Sequence, residues 1–169
     1  SGPAGSLVLA MIGPMVKDAK QHVSIISPYF VPGKQGSSFL VSQVEDGTGV
    51  RVLTNSLAAN DVAMVYGGYS RSRPTLLKGG VQIWELKPLP GKQTQRSMFG
   101  SSGASLHTKA LAADSSRLFV GSYNLDPRST SLNCEQGVFV EESTVATQLE
   151  AIFDQESSGE RAWGVTLEN

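Results

Sequence analysis

The first half of the chain alternates β-rich runs with helix-patterned runs, and this order restricts the possible fold more than any other feature. Three short apolar runs indicate strands: HVSIIS, GVRVLTN and VQIWEL. Helical apolar spacing marks residues 7–21, the run GSSFLVSQVEDG and residues 61–78, the last ending at a Gly-Gly pair. Strands joined through helices pair in parallel by right-handed crossovers. We therefore predict an α/β fold with a mixed, mostly parallel sheet flanked by helices.

The second half changes character after the third strand. Residues 87–105 are rich in Pro, Gly, Ser, Gln and Lys and have no apolar period, which predicts a mobile loop. The runs LHTKALAAD and RLFVGSY, separated by two serines, indicate a late hairpin, and QGVFVEE indicates one more strand. Ser143 is predicted to cap a final helix. The residues expected on its buried face are Val145, Leu149, Ile152 and Phe153.

Length and composition favour one compact domain over residues 1–169, because 169 residues with 40% hydrophobic content support one sizeable core. The single Cys134 cannot form an internal disulfide. No window approaches the roughly 18 apolar residues of a membrane-spanning helix, so we expect the chain itself to be soluble.

Charge is distributed unevenly along the chain, although the formal net charge is only −1. Between residues 70 and 109 there are seven Lys or Arg and one acid, Glu85, whereas residues 110–169 hold three Arg and ten acids. The first region would attract an anionic ligand, and a solvated charged face is the alternative explanation. The net charge excludes a protein whose whole surface is basic, as in proteins that bind nucleic acid over their entire surface.

The late hairpin carries the candidate chemistry. Residues two apart on a strand share a face, so His107 and Lys109 should project together. Beyond Gly121, which permits close backbone approach, Ser122 and Asn124 should share a face in the same way. A lone histidine on a strand is usually structural, but here an imidazole lies beside three donors. Donors without carboxylates suit a phosphodiester whose oxygens are neutralised without a metal, so neither a metal nor a cofactor is expected.

The segment HTKALAADSSRLFVGSYN fits the pattern His-x-Lys-(x4)-Asp-(x6)-Gly-Ser-x-Asn without a gap, and on this pattern the chain resembles the phospholipase D superfamily. Four further segments resemble the C-terminal lobe of bacterial cardiolipin synthases, above all the C-type branch: VSIISPYFVPG, VRVLTNSLAANDV, VQIWELKP and NLDPRSTSLNCEQGVFVE. The resemblance extends over residues 7–167. It implies a phospholipase D-like lobe and chemistry that passes through a phosphohistidine.

The resemblance also implies roles for individual residues. His107 would be one of two catalytic histidines, and Asp114 and Gly121 would be structural members of the motif. The residues expected to bind the phosphoryl oxygens are Lys109, Ser122 and Asn124. Glu135 lies where the family places a carboxylate that hydrogen-bonds the non-reacting nitrogen of the imidazole, which fixes its tautomer and stabilises its cationic form.

Three residues that follow strands are candidates for the rim of the pocket. Tyr29 and Phe30 lie in SPYFVPG, after the first strand, and Asn55 ends the second. In α/β sheets the site usually lies at this edge, and ordinary loop packing is the alternative. His22 has no partner in the motif and is expected to be a surface structural residue.

Superfamily enzymes bring two such motifs together, whereas this chain holds one. We therefore predict that it is the second lobe of a longer two-lobe chain, paired with the first lobe of that parent or with a second copy of itself. The favoured function is phosphatidyl transfer on phospholipids, with the bacterial parent associated with the inner membrane surface. One alternative is a homodimeric, metal-independent phosphodiesterase acting on nucleic acid, a partner that the lipid-branch segments disfavour. Another is a non-enzymatic lobe for dimerisation or phosphate binding.

Overall fold

The computed structural model describes residues 3–59, 63–88, 106–125 and 135–167, and in this part of the chain seven strands form one sheet. The helices are α1 (Pro3–Lys17), α2 (Gly33–Glu45), α3 (Ala63–Lys78) and α4 (Ser143–Glu156). The strands are β1 (His22–Ile26), β2 (Gly49–Asn55), β3 (Gln82–Leu86), β4 (Lys109–Ala113), β5 (Arg117–Gly121), β6 (Gly137–Glu141) and β7 (Ala162–Gly164). Their order across the sheet is β6-β5-β4-β1-β2-β3-β7.

The α/β fold with a mixed sheet flanked by helices is confirmed, but the expectation of a mostly parallel sheet is wrong. Only β1–β2 and β2–β3, which are connected through α2 and α3, pair in parallel, and the other four neighbouring pairs are antiparallel. Tight turns oblige consecutive strands such as β4 and β5 to run antiparallel, since a parallel neighbour needs a long crossover. Each of the four antiparallel pairs includes at least one strand of the second half of the chain, β4 to β7.

The sheet separates two apolar cores. Alternation along β1 sends Val23 and Ile25 into a core with α1, α2 and α3, and sends Ile26 into a smaller core beneath α4. In the smaller core the ring of Phe153 meets Trp84 edge-on, with ring centroids 5.7 Å apart. Helices on both faces of the sheet bury its central strands.

Helix α4 differs from the sequence prediction in its cap and in its buried face. The side chain of Glu142, not of Ser143, accepts the capping bond from the Val145 N–H (2.9 Å). Val145 and Ile152 are 39% and 51% exposed, because they share a stripe beside the one that meets the sheet. The buried stripe is Ala146, Leu149, Glu150 and Phe153.

Asp114 fastens the β4–β5 turn to the segment that leads from α1 into β1. It adopts a left-handed φ of 53°, and its carboxylate accepts the backbone N–H groups of Lys20, Gln21 and His22 at 2.8–3.1 Å. Burial by itself would raise the pKa of Asp114, but the three N–H donors and the nearby Arg117 outweigh it and hold that pKa below the ordinary value. A carboxylate stabilised in this way contributes to folding only while it is charged.

Replacing Asp114 with Asn should lower the free energy of unfolding at neutral pH by about 2 kcal/mol, because the hydrogen bonds to a charged acceptor are lost. The pKa of Asp114 is lowered in the folded chain, so its contribution is present above the ordinary value of 3.8 and disappears as pH falls through the folded value. Urea unfolding between pH 7 and pH 2 should show the difference between wild type and variant shrinking below pH 3.8. A difference that stays constant down to pH 2 would contradict the assignment.

The mobile loop predicted for residues 87–105 lies outside the described residues from residue 89 onward. In the described ranges, no helix is both long enough and apolar enough to cross a membrane.

Candidate active site

The candidate site residues lie together at the end of the sheet where the parallel strands have their C-terminal ends. Ile26, the last residue of β1, pairs with Ala110, so β4 begins at this edge, and Lys109 pairs with Gly121 at the end of β5. Gly121 in turn pairs with Gly137, the first residue of β6. Residues just before β4, after β5 and before β6 are therefore brought together by pairing.

His107 lies outside the strand on which it was predicted. Strand β4 begins at Lys109, and residues 106–108 have no regular structure, so alternation along a strand does not explain where His107 points. Ser122 and Asn124 likewise lie just beyond β5, and Tyr123 between them is buried in the larger core. His107, Lys109, Ser122 and Asn124 nevertheless line one cavity.

This cavity is open to solvent and has a volume of about 980 Å³. Besides those four residues its lining includes an acid, an amide, two glycines and two valines. They are Glu135, Gln136, Gly121, Gly137, Val120 and Val138. The valines are cross-strand partners and are 42% and 64% exposed, so they form an uncovered apolar wall beside the polar group. Sequence analysis missed the valines and Gln136, and only their position next to motif residues could have indicated them.

Gly121 has no room for a side chain. A Cβ atom there would lie 2.4 Å from the carbonyl oxygen of Gln136 and 2.8 Å from the Cα of Gly137. This close approach brings Ser122 against Gln136, whose N–H donates to the Ser122 Oγ (3.0 Å) and whose carbonyl accepts the Ser122 N–H (2.9 Å). The glycine thus allows the end of β5 and the start of β6 to form one wall of the cavity.

Glu135 contacts Ser122 in this structure. Its carboxylate accepts a hydrogen bond from the Ser122 hydroxyl. Across the described residues, no hydrogen bond links Glu135 to the imidazole of His107. The predicted role of Glu135 in orienting the imidazole stays a prediction.

Lys109 is the cation of the site. Its Nζ donates to the backbone carbonyl of His107 (2.9 Å), which ties the ammonium group to the segment that carries the imidazole. Partial burial lowers the pKa of Lys109, and the negative charge of Glu135 opposes this shift. Glu135 therefore favours the charged form of Lys109, whose ammonium group is the only one among the described residues that line the cavity.

The rim candidates do not lie among the described residues that line the cavity. Phe30 is 1% exposed and packs in the larger core, where its ring lies 6.3 Å from that of Tyr69, so its assignment to a rim is wrong. Tyr29 is half-buried, and Asn55 is 3% exposed with its amide bonded to the backbone of Leu106.

His22 was expected at the surface but is half-buried, and it makes a structural contact outside the cavity, with its Nε2 2.9 Å from the Glu150 carboxylate. In the ranges that the structure describes, His, Cys, Asp and Glu form no group of three that could hold a metal ion.

Two solved structures share the fold of this chain. Nuc from Salmonella typhimurium, a phospholipase D family member, superposes with a TM-score of 0.72 at 15% identity, covering 98% of this chain and 95% of that one. NucT from Helicobacter pylori superposes with a TM-score of 0.70 at 16% identity, covering 95% of this chain and 92% of that one. The chain therefore has the α/β fold of the phospholipase D superfamily of enzymes.

Sequence comparison narrows the class to one family. A family model described as cardiolipin synthase, PLD-like domain, matches residues 12–157, and the chain belongs to this family. It is 44% identical over 151 residues to cardiolipin synthase C of Escherichia coli strain K12, which is 88% of this chain and 32% of the relative. It is 28% identical over 144 residues to cardiolipin synthase A of Klebsiella pneumoniae, which is 85% of this chain and 26% of the relative. The chain thus spans about a third or less of the length of these bacterial relatives.

Proposed function

We propose that the chain is one catalytic lobe of a phosphatidyl transferase, which moves a phosphatidyl group from a phospholipid to the hydroxyl of a second lipid or of glycerol. The observation that carries this proposal is the meeting of an imidazole, an ammonium group, a hydroxyl and an amide in one open cavity. These groups suit a phosphodiester, because donors can neutralise its non-bridging oxygens. Similarity to cardiolipin synthase C favours a lipid diester over other diesters.

The proposed reaction uses two histidines in turn. One attacks phosphorus and forms a phosphohistidine while the bond to the first alcohol breaks, and the other protonates the departing oxygen. The acceptor hydroxyl then attacks the phosphorus of the phosphohistidine and gives its proton to the second histidine, while the P–N bond breaks and the first histidine is released. The family resemblance assigns the attack to the other motif, so His107 would be the acid and then the base. Lys109, Ser122 and Asn124 would hold the phosphoryl oxygens.

The other motif would come from the first lobe of a longer parent chain or from a second copy of this chain. The exposed valine wall beside the cavity is a surface that such a lobe would cover. We propose that the complete protein acts at the inner membrane surface of a bacterium, where its phospholipid substrates lie.

A second candidate is a homodimeric phosphodiesterase that cleaves nucleic acid. It is supported by the excess of cations between residues 70 and 109 and by Nuc, a chain of similar length with the same fold. It is less favoured, because identity to Nuc is 15% whereas identity to cardiolipin synthase C is 44%.

Activity assays on a lipid substrate and on a nucleic-acid substrate distinguish the two candidate functions. The parent protein with both motifs should transfer phosphatidyl groups in phospholipid vesicles and leave single-stranded DNA uncut. Turnover should persist in EDTA, since the cavity supplies donors and an ammonium group where a metal site would need clustered carboxylates. Cleavage of DNA in preference to lipid would favour the second candidate. Loss of lipid turnover in EDTA that Mg²⁺ or Zn²⁺ restores would contradict a metal-independent mechanism.

Replacing Glu135 with Gln should lower turnover by about 10²-fold in the complete enzyme, if the carboxylate stabilises the imidazolium during the reaction. The pKa of Lys109 should also fall further, because the anion that raises it is removed. Glu141→Gln is the matched control, since Glu141 is an acid at the far end of β6, the strand that follows Glu135, and does not line the cavity. Equal turnover in both variants, with unchanged melting temperatures, would show that Glu135 is only a surface residue.

A further inference from the structure

His107 lies in a stretch whose backbone is not held by strand pairing. Residues 106–108 precede β4 and have no regular structure, yet His107 lines the same cavity as Lys109 and Asn124. The bond from the Lys109 Nζ to the His107 carbonyl comes from a long flexible side chain two residues away. A flexible tether of this kind does not fix the direction of a neighbouring side chain.

Asn55 supplies the rigid contact. Its Oδ1 accepts the N–H of Leu106 (2.9 Å), and its Nδ2 donates to the carbonyl of the same residue (3.3 Å). One amide side chain thereby bonds both polar groups of the backbone immediately before His107, as a neighbouring strand would. The two bonds need a donor and an acceptor side by side, which a carboxylate or an apolar side chain cannot provide.

The position of Asn55 makes this contact stiff. It is the last residue of β2, which lies between β1 and β3 in the middle of the sheet, and it is itself paired with Leu86. Its side chain is 3% exposed, so it does not move freely in water. The bond to residue 106 spans 51 positions in sequence and joins a central strand to the catalytic segment.

The other arm of the site is held from the neighbouring strand in a comparable way. Leu125, which follows Asn124, donates its N–H to the Ser27 hydroxyl (3.3 Å), and its carbonyl accepts the N–H of Val31 (2.6 Å). The ends of β1 and β2 thus each anchor one arm of the cavity. On the His107 arm the anchor is a single side chain, so its contribution can be removed by one substitution.

We propose that Asn55 is a positioning residue for His107: its amide fixes the backbone of Leu106 and so aims the imidazole at the phosphate held by Lys109, Ser122 and Asn124. This proposal rests on the proposed function for the identity of the ligand, because phosphate is the group toward which His107 would be aimed. It adds a residue outside the His-x-Lys and Gly-Ser-x-Asn segments to the machinery of the site.

The chain itself allows a direct test, because it contains only two histidines. With ¹³C-labelled histidine, the Cε1–H spectrum should hold two signals, and His107→Ala assigns them. Asn55→Leu, which removes both hydrogen bonds, should shift or broaden the His107 signal and leave that of His22 unchanged. Titration with inorganic phosphate, followed on the His107 signal, should give a Kd about tenfold higher than in wild type, the effect of losing roughly one well-aligned interaction.

Two further variants separate positioning from general stability. Asn55→Asp keeps an acceptor for the Leu106 N–H, so in the ligand-free chain its His107 signal should lie between those of wild type and Asn55→Leu. Thr48→Val is the matched control: Thr48 is 3% exposed and its hydroxyl donates to the Ala19 carbonyl (3.0 Å) at the opposite end of β2. It should lower the unfolding midpoint and change neither the His107 signal nor the Kd for phosphate.

The outcomes are distinguishable. Failure of the wild-type chain to bind phosphate at His107 would count against the proposed function, while the ligand-free His107 signals would still decide the role of Asn55. A folded Asn55→Leu chain whose His107 signal matches wild type would overturn the positioning role. If Asn55→Leu does not fold, the Asn55→Asp spectrum decides: an unchanged His107 signal overturns the proposal and a shifted one supports it.

Discussion

A strictly monomeric preparation of this chain is expected to bind phosphate but to cleave a phosphodiester at least about 10³-fold more slowly than an assembly with two His-x-Lys motifs. In-line displacement needs one group to attack phosphorus and another, on the opposite side, to protonate the leaving oxygen. The described cavity supplies one imidazole, that of His107. Efficient cleavage of a phosphodiester therefore requires the second motif.

The measurement pairs light scattering with an assay on a chromogenic phosphodiester, across a range of protein concentrations. If two copies complete the site about a two-fold axis, turnover should rise with the dimer fraction. His107→Ala should abolish the activity of any dimer, and it serves as the control for contaminating phosphodiesterases. Robust turnover by a species that remains monomeric, lost in His107→Ala, would show that this chain holds a second proton-transfer group and would overturn the two-motif mechanism.

Replacing Arg51 with Met is expected to lower the free energy of unfolding by about 3 kcal/mol, because a buried carboxylate would lose its cation. The carboxylate is that of Glu150, which is 8% exposed on the buried face of α4 and accepts a hydrogen bond from the Arg51 guanidinium. The same guanidinium donates to the Ser24 hydroxyl (2.8 Å) and to Asp154 (2.7 Å) and lies 4.7 Å from the centre of the Phe153 ring. The substitution therefore removes several contacts that join β2 to α4.

The comparison for Arg51 is Arg161→Met. Arg161 pairs with Glu156 at the surface, its side chain is 46% exposed, and its loss should cost less than about 1 kcal/mol. Replacing Arg51 and Glu150 together, by Met and Leu, should recover much of the loss, since no unpaired buried charge is then left. Urea unfolding of the three variants provides the free energies. A loss for Arg51→Met as small as for Arg161→Met would mean that water reaches Glu150 and screens it.

His107, Lys109, Ser122 and Asn124, which sequence reasoning grouped together, line one cavity, but the geometric argument for that grouping held only in part. Alternation along a strand cannot place His107, because the ladder begins at Lys109. The group meets because β4 pairs with β5 and β5 with β6, which brings three strand ends to one cavity. The spacing of the motif encoded that pairing, although the predicted strands extended one to three residues too far at their ends.

Burial was predicted well for apolar residues that lie in an apolar core and poorly for charged residues that are buried. Apolar strand residues such as Val23 and Ile25 lie in the core as their pattern indicates. Glu150 could not have been predicted as buried. The desolvation cost of burying its carboxylate is offset by hydrogen bonds from Arg51 and Ser24, which lie 99 and 126 positions away in sequence. Phe30 was assigned to a rim because it follows a strand, but the loop turns its ring toward Tyr69.

The sequence by itself determined the alternation of helices and strands, the late hairpin and the spacing of the motif, because each depends on residues close together in the chain. Only the tertiary structure decided which side chains meet: Glu135 with Ser122, Asn55 with Leu106, and His22 with Glu150. Those contacts depend on strand register and on the angle at which a helix crosses the sheet, and a shift of one residue in register would send every side chain of a strand to the other face.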